Sequence, residues 1–110
     1  MSEAKVQHDI LLAFGAMPHM RLWRNNSGLL YAPGPGGTMR RVRASAEGAP
    51  DILGLLRGGL FLGIECKSES GRQSPAQVAF QQMIEKMGGL YILARSVEDV
   101  RRQLPEGWDK

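Results

Sequence analysis

Residues Ala49–Lys67, APDILGLLRGGLFLGIECK, constrain the fold more than any other part of the chain. Two apolar runs flank the turn sequence Arg57-Gly58-Gly59. The stretch therefore predicts a β-hairpin, with one strand over Asp51–Leu56 and the return strand over Leu60–Lys67. Side chains alternate along a strand, which puts Leu60, Leu62, Ile64 and Cys66 on an apolar, core-facing side. Phe61, Gly63, Glu65 and Lys67 share the opposite side. Charges inside such a strand are tolerated when they are paired or hold a metal ion.

Register decides what faces Glu65. A three-residue loop pairs Leu56 with Leu60 and sets Asp51 opposite Glu65, both on one face. A two-residue loop would set Asp51 opposite Cys66 and turn it to the other side. Two carboxylates about 5 Å apart at the backbone, with Lys67 next along, resist joint ionisation. A hard divalent cation such as Mg²⁺ relieves that repulsion by accepting oxygens from both, and the backbone carbonyl of Cys66 points into the same region. Lys67 is placed to orient or deprotonate an attacking water, or to stabilise charge building on phosphorus. Gly63 withholds a side chain beside Glu65, which predicts room for something to approach. The competing reading takes Asp51 as a turn residue after Pro50, and Glu65 and Lys67 as an exposed ion-pair set.

The 110 residues fit one compact domain, 1–110, and 43% hydrophobic with 23% charged residues is an ordinary globular composition. The longest apolar stretch, around Leu60–Ile64, falls far short of a transmembrane span. The opening MSEAKVQHDILLAFG mixes acids and polar residues with apolar ones and does not read as a signal peptide. Cys66 is the only cysteine, so an intramolecular disulfide is excluded; His8 and His19 are too few to join it in a structural zinc site. The expected setting is a reducing cytoplasm, in a bacterial or phage-infected cell. Net charge is +3, and the positive residues cluster at Arg21 and Arg24, at Arg40, Arg41 and Arg43, and at Arg101 and Arg102. Basic clusters attract polyanions such as nucleic acid, though they are also common on solvated faces.

Along the chain, Glu3–Phe14 predicts a helix capped by Ser2, with Val6, Ile10, Ala13/Phe14 and Met17 on one face. A short strand over Leu22–Asn25 runs into a turn at Asn26-Ser27-Gly28. Ala32–Thr38 reads as a Pro/Gly loop and MRRVR as a short strand or edge element. After the hairpin, Ser74 caps a helix with Pro75 at its first position and Gln77 completing a capping box. Ala76, Phe80, Met83 and Met87 line one face of that helix, and Gly88 ends it. Leu90–Ala94 predicts a buried strand, and Ser96 caps a last helix. The order is helix, strands, hairpin, helix, strand, helix: an α/β fold with a mixed sheet.

Pro50-Asp51, thirteen intervening residues and Glu65-Cys66-Lys67 resemble the signature of the PD-(D/E)XK nucleases. With SEAKVQ, RNNSG, EGAPDILG, LGIECKSESGRQSPAQ and MGGLYILARSVEDV, nearly the whole chain resembles the VRR-NUC (virus-type replication-repair nuclease) branch. The resemblance implies a restriction-endonuclease-like sheet flanked by helices and Mg²⁺-dependent phosphodiester hydrolysis, with Mn²⁺ able to substitute. It implies metal ligands at Asp51 and Glu65, a catalytic Lys67, and a Glu3 that joins or supports the metal site. It also puts Gln77, Asn25 and Ser27 close to that site, although Gln77 suits a capping box and the other two suit a turn without it. Cys66 departs from the aliphatic residue more usual between the acid and the lysine.

Stand-alone members of that branch resemble junction resolvases. A small nuclease gains selectivity by pairing into a two-fold homodimer, which matches the symmetry of a four-way DNA junction. Holliday-junction cleavage is therefore the expected activity. Flap or other branched-DNA cleavage, and a DNA-binding accessory protein without turnover, are the alternatives. Arg24, Arg40, Arg41 and Arg43, with Asn25 and Ser27, are the candidate DNA contacts.

Overall fold

The computed structural model describes residues 1–25, 29–43 and 46–109, without the side chains of 29–31 and 41–43. Helix α1 (Glu3–Phe14) is followed by strands β1 (Ala16–Met17), β2 (Met20–Arg24), β3 (Leu29–Pro33), β4 (Met39–Arg43), β5 (Ile52–Leu56) and β6 (Leu60–Cys66). Helix α2 (Pro75–Lys86), strand β7 (Leu90–Ala94) and helix α3 (Val97–Gln103) complete the chain. Five strands form a mixed sheet in the order β1-β2-β5-β6-β7, in which only the β6–β7 pairing is parallel. Strands β3 and β4 pair antiparallel with each other in a separate two-stranded sheet. The expected α/β class and element order are those observed. Among the described residues, no helix is long and apolar enough to cross a membrane.

The hairpin has the three-residue loop that puts Asp51 on the Glu65 side. Leu56 pairs with Leu60 and Ile52 with Ile64. Gly58 and Gly59 make the loop possible, with φ of 92° and 85°, a region that side-chain-bearing residues avoid. The helix caps also follow the sequence. The Ser2 hydroxyl accepts from Lys5 N–H, Ser96 from Asp99 N–H, and Ser74 with Gln77 forms the full capping box.

One face of the sheet carries the core. Val6, Ile10 and Phe14 of α1 and Val100 of α3, with Leu104 beyond it, pack on Leu22, Ile52, Leu56, Leu62, Ile64, Cys66, Ile92 and Ala94. The Trp108 ring meets Phe14 edge-on at 5.9 Å between centroids. Alternation along β6 thus sends Cys66 into the core, as its place in the strand requires.

Helix α2 lies on the other face, but not on the residues its spacing suggested. Ile84 is its buried residue, whereas Met83 is 46% exposed and Met87 79% exposed. The cause is two glycines in the surface beneath it. A Cβ on Gly89 would sit 2.8 Å from Ile84 Cγ2, and one on Gly63 would sit 3.2 Å from Ile84 Cδ1 and 2.7 Å from Pro50 Cγ. The space expected beside Glu65 at Gly63 is therefore filled by Pro50 and Ile84. A second expectation changes at Ala32–Thr38. Its first residues belong to β3, and only Pro35–Gly37 forms a short 3-10 turn. The expected turn at Asn26-Ser27-Gly28 lies outside the described residues.

Gly63→Ala is expected to lower stability by about 1–3 kcal/mol through overpacking against Pro50 and Ile84. Thermal unfolding should show a drop of several degrees. An unchanged melting temperature would mean that the site beside Gly63 is open.

Candidate functional site

Asp51 sits at a bend just before β5, which starts at Ile52, one residue later than the Asp51 start expected from the sequence. Three hydrogen bonds from two residues fix its backbone and that of Pro50. Asn25 N–H donates to Asp51 O at 2.8 Å, Asn25 Nδ2 to Pro50 O at 3.0 Å, and Gln7 Nε2 to Asp51 O at 3.4 Å. Upstream, Gly48 has a φ of 82°, and any side chain there would collide with the Ala76 carbonyl in the first turn of α2. The turn leading into Asp51 is therefore pressed onto the start of α2.

The Asp51 carboxylate then bridges the hairpin. Its Oδ2 accepts the Cys66 N–H at 2.8 Å. That bond commits one carboxylate oxygen and ties the start of β5 to the end of β6. Glu65, beside Cys66, is only 2% exposed, and its Oε2 has no hydrogen-bond partner. A buried polar atom without a partner costs roughly 1–3 kcal/mol. Lys67 follows the strand at 8% exposure, its N–H donating to Ala94 O at 3.0 Å. It makes no ion pair with Asp51 or Glu65; the ion pairs among the described residues lie on the surfaces of α1 and α3. The exposed ion-pair set of the competing reading is therefore not what these residues form.

Electrostatics show how tightly the acids are packed. Burial, then hydrogen bonding toward Asp51 and the Asp51 charge, push the Glu65 carboxyl from 4.5 up to about 9; Lys67 opposes this and Glu3 adds to it. Burial, followed by the Asp51, Glu65 and Glu3 charges, pushes the Cys66 thiol up to about 12, which leaves it an unreactive core side chain. Burial likewise raises Tyr91 to about 12; the Gln73 hydrogen bond opposes the shift, and Glu65 and Asp51 add to it. Gln73 Nε2 donates to Tyr91 Oη at 3.1 Å and to Gln81 Oε1 at 2.9 Å, fixing the segment after Lys67 to β7 and α2.

Glu3 stands at the margin of this group. Gly71 packs between it and Lys67, since a Cβ on Gly71 would lie 3.3 Å from Lys67 Cδ and 3.5 Å from Glu3 Oε1. Among the described residues, no three His, Cys, Asp or Glu side chains gather as a ligand cluster. The carboxyl set is thus a close pair with a third acid nearby. Gln77 Oε1 accepts from Ser74 N–H at 2.9 Å, so the bond it makes is the cap. Arg24 and Arg40 are exposed. Ser27 and the side chains of Arg41 and Arg43 lie outside the described residues.

Spacing and alternation find Asp51, Glu65 and Lys67. They do not find Gln7, Gln73 or Tyr91, whose roles come from tertiary contacts. For Gln7 the only hint is an amide on the first helix one residue from the buried Val6. No protein-family model, curated protein or solved structure matches the chain.

The Glu65 carboxyl gives the protein without divalent ions a pH-dependent stability. Below about 4.5 the group is protonated in both folded and unfolded chains and contributes no slope. Between there and about 9 the unfolded chain ionises while the folded one keeps its proton, so stability falls as pH rises. Glu65→Gln should flatten that slope and stabilise the ion-free protein near pH 8 by about 1–2 kcal/mol. Melting curves across pH, with and without Mg²⁺, check this. A wild-type slope equal to that of the variant would contradict it.

Proposed function

We propose that the protein is a divalent-metal-dependent DNA endonuclease with a restriction-endonuclease-like arrangement of sheet and helices. One observation carries the reading: Asp51 and Glu65 meet across a hairpin, and a buried Glu65 oxygen lacks a partner. Residues built only for stability would leave that oxygen paired or replace it with an apolar group. The donor set suits a hard cation, since it offers carboxylate oxygens and the nearby Cys66 carbonyl and no soft ligand.

Asp51 and Glu65 would hold Mg²⁺ or Mn²⁺, with Glu3 supporting the site from α1. When bound, such an ion supplies Lewis-acid activation of the phosphodiester and of the water that attacks it. The chain's own groups do the rest. Asp51 is held rigid by Cys66 N–H and by the Asn25 and Gln7 tethers, so its geometry is set before substrate arrives. Lys67, buried near two acids but paired with neither, keeps its ammonium for the phosphate and stabilises charge as it develops on the phosphoryl oxygens. The backbone of Ala76 and Gln77, at the start of α2, packs against the turn at Gly48 that leads into Asp51.

The substrate in this reading is branched DNA, a four-way junction first, cut by a two-fold homodimer whose paired sites match the junction. A labelled junction, a flap, a linear duplex and a single strand, each with Mg²⁺, Mn²⁺ or EDTA, test it. Paired symmetric nicks on the junction are expected, abolished by EDTA. Lys67→Ala should slow cutting on the order of 10²–10³-fold. Cutting of the flap in preference to the junction would keep the catalytic hairpin and remove the resolvase reading. Metal-independent binding without cleavage of any substrate would leave a DNA-binding accessory protein.

A further inference from the structure

The carboxyl pair gives no role to the β3–β4 ribbon. Of the described side chains on the ribbon, none belongs to the hydrophobic core. The ribbon interrupts the connection between β2 and β5, which are adjacent, antiparallel strands of the main sheet. Strand β2 ends at Arg24 opposite Ile52, and the next residue, Asn25, is bonded to Asp51 O at 2.8 Å. Chain leaves the sheet for the ribbon, and returns from it, beside Asp51.

Charge is distributed just as unevenly. Residues 10–46, which include β2 and the whole ribbon, hold five arginines and no aspartate or glutamate. With a chain net charge of +3, all other residues together carry minus two. Arg40, Arg41 and Arg43 lie on β4 at register positions opposite Ala32, Tyr31 and Leu29. The tip is a built turn: Gly34 N–H donates to Thr38 O and Thr38 Oγ1 to Pro35 O, both at 2.7 Å. Two five-residue strands therefore form a closed, basic ribbon inserted at the edge of the site.

We propose that the β3–β4 ribbon is an arm that grips the phosphate backbone of duplex DNA beside the scissile phosphate, its charge carried by the arginine positions 40, 41 and 43 of β4. The inference rests on DNA being the substrate of the Asp51 site. Five-residue strands extend about 17 Å, and the major groove, about 12 Å wide, admits a two-stranded ribbon. Contacts to phosphates position the protein without reading sequence, so the arm sets affinity rather than base preference.

Binding of a labelled four-way junction and a linear duplex, read by fluorescence anisotropy in EDTA across about 50–200 mM salt, tests the arm. The triple variant R40Q/R41Q/R43Q should bind about 10–100-fold more weakly, to every sequence alike. Its slope of log affinity against log salt should shrink by about 2.7, or about 0.9 per phosphate contact. The R40K/R41K/R43K variant keeps the charge and should keep the slope. Arg40→Gln alone, with its smaller loss, carries the test if the triple variant melts early. A folded glutamine variant with unchanged affinity and slope would overturn the arm, as would single-stranded RNA displacing the duplex in preference to unlabelled DNA. Because cutting plays no part, the two readings fail separately. A wild type that binds through the ribbon and cuts nothing keeps the ribbon as a DNA-gripping arm and removes the nuclease, and with it the scissile phosphate. A wild type that cuts, while the triple variant binds equally well, does the reverse.

Discussion

The hydrogen bond from Cys66 N–H to the Asp51 carboxylate is the constraint on which the site depends. It lies just beyond the last residue pair of the β5–β6 ladder, where the two chains would otherwise separate. By closing that end it holds Asp51 against Glu65, although the two acids repel when both are ionised. Everything around it works to the same end. Asn25 and Gln7 hold the Asp51 backbone, Gly48 presses the preceding turn onto α2, and Pro50 fills the place left by Gly63.

The core and the site occupy opposite sides of one strand. Leu62, Ile64 and Cys66 lock β6 into the apolar face, so the strand cannot slip by a residue without burying Glu65 among them. Glu65 and Lys67 are thereby held on the opposite face, where both are shielded from water. That shielding raises the Glu65 carboxyl to about 9, so the folded protein keeps its proton near neutral pH. A buried carboxyl with an unpartnered oxygen lowers stability at this point.

The hairpin, its register and the helix caps were legible in the sequence because each follows from local rules: period-two alternation, a Gly-Gly loop and serine at helix starts. The pairing of Asp51 with Glu65 followed from that register. Less was legible where tertiary packing decides. Met83 and Met87 fit the helical period of α2, yet Ile84 is buried, because only a view of Gly63 and Gly89 together reveals the seat for its side chain. The same blindness made Gly63 look like open space. Strand β3 was hidden by the prolines and glycines that follow it, which dominate local propensity over Ala32–Thr38. Gln73 carries no sequence pattern and Gln7 only its place beside Val6, since their partners lie on other elements.

Calorimetric titration of Mn²⁺ into the protein at neutral pH, in buffers of different ionisation enthalpy, tests the carboxyl pair most directly. The account requires binding accompanied by proton release, because Glu65 holds its proton until a cation takes its place, and requires Asp51→Asn and Glu65→Gln each to abolish it. Absence of Mn²⁺ binding, or binding untouched by both substitutions, would contradict it.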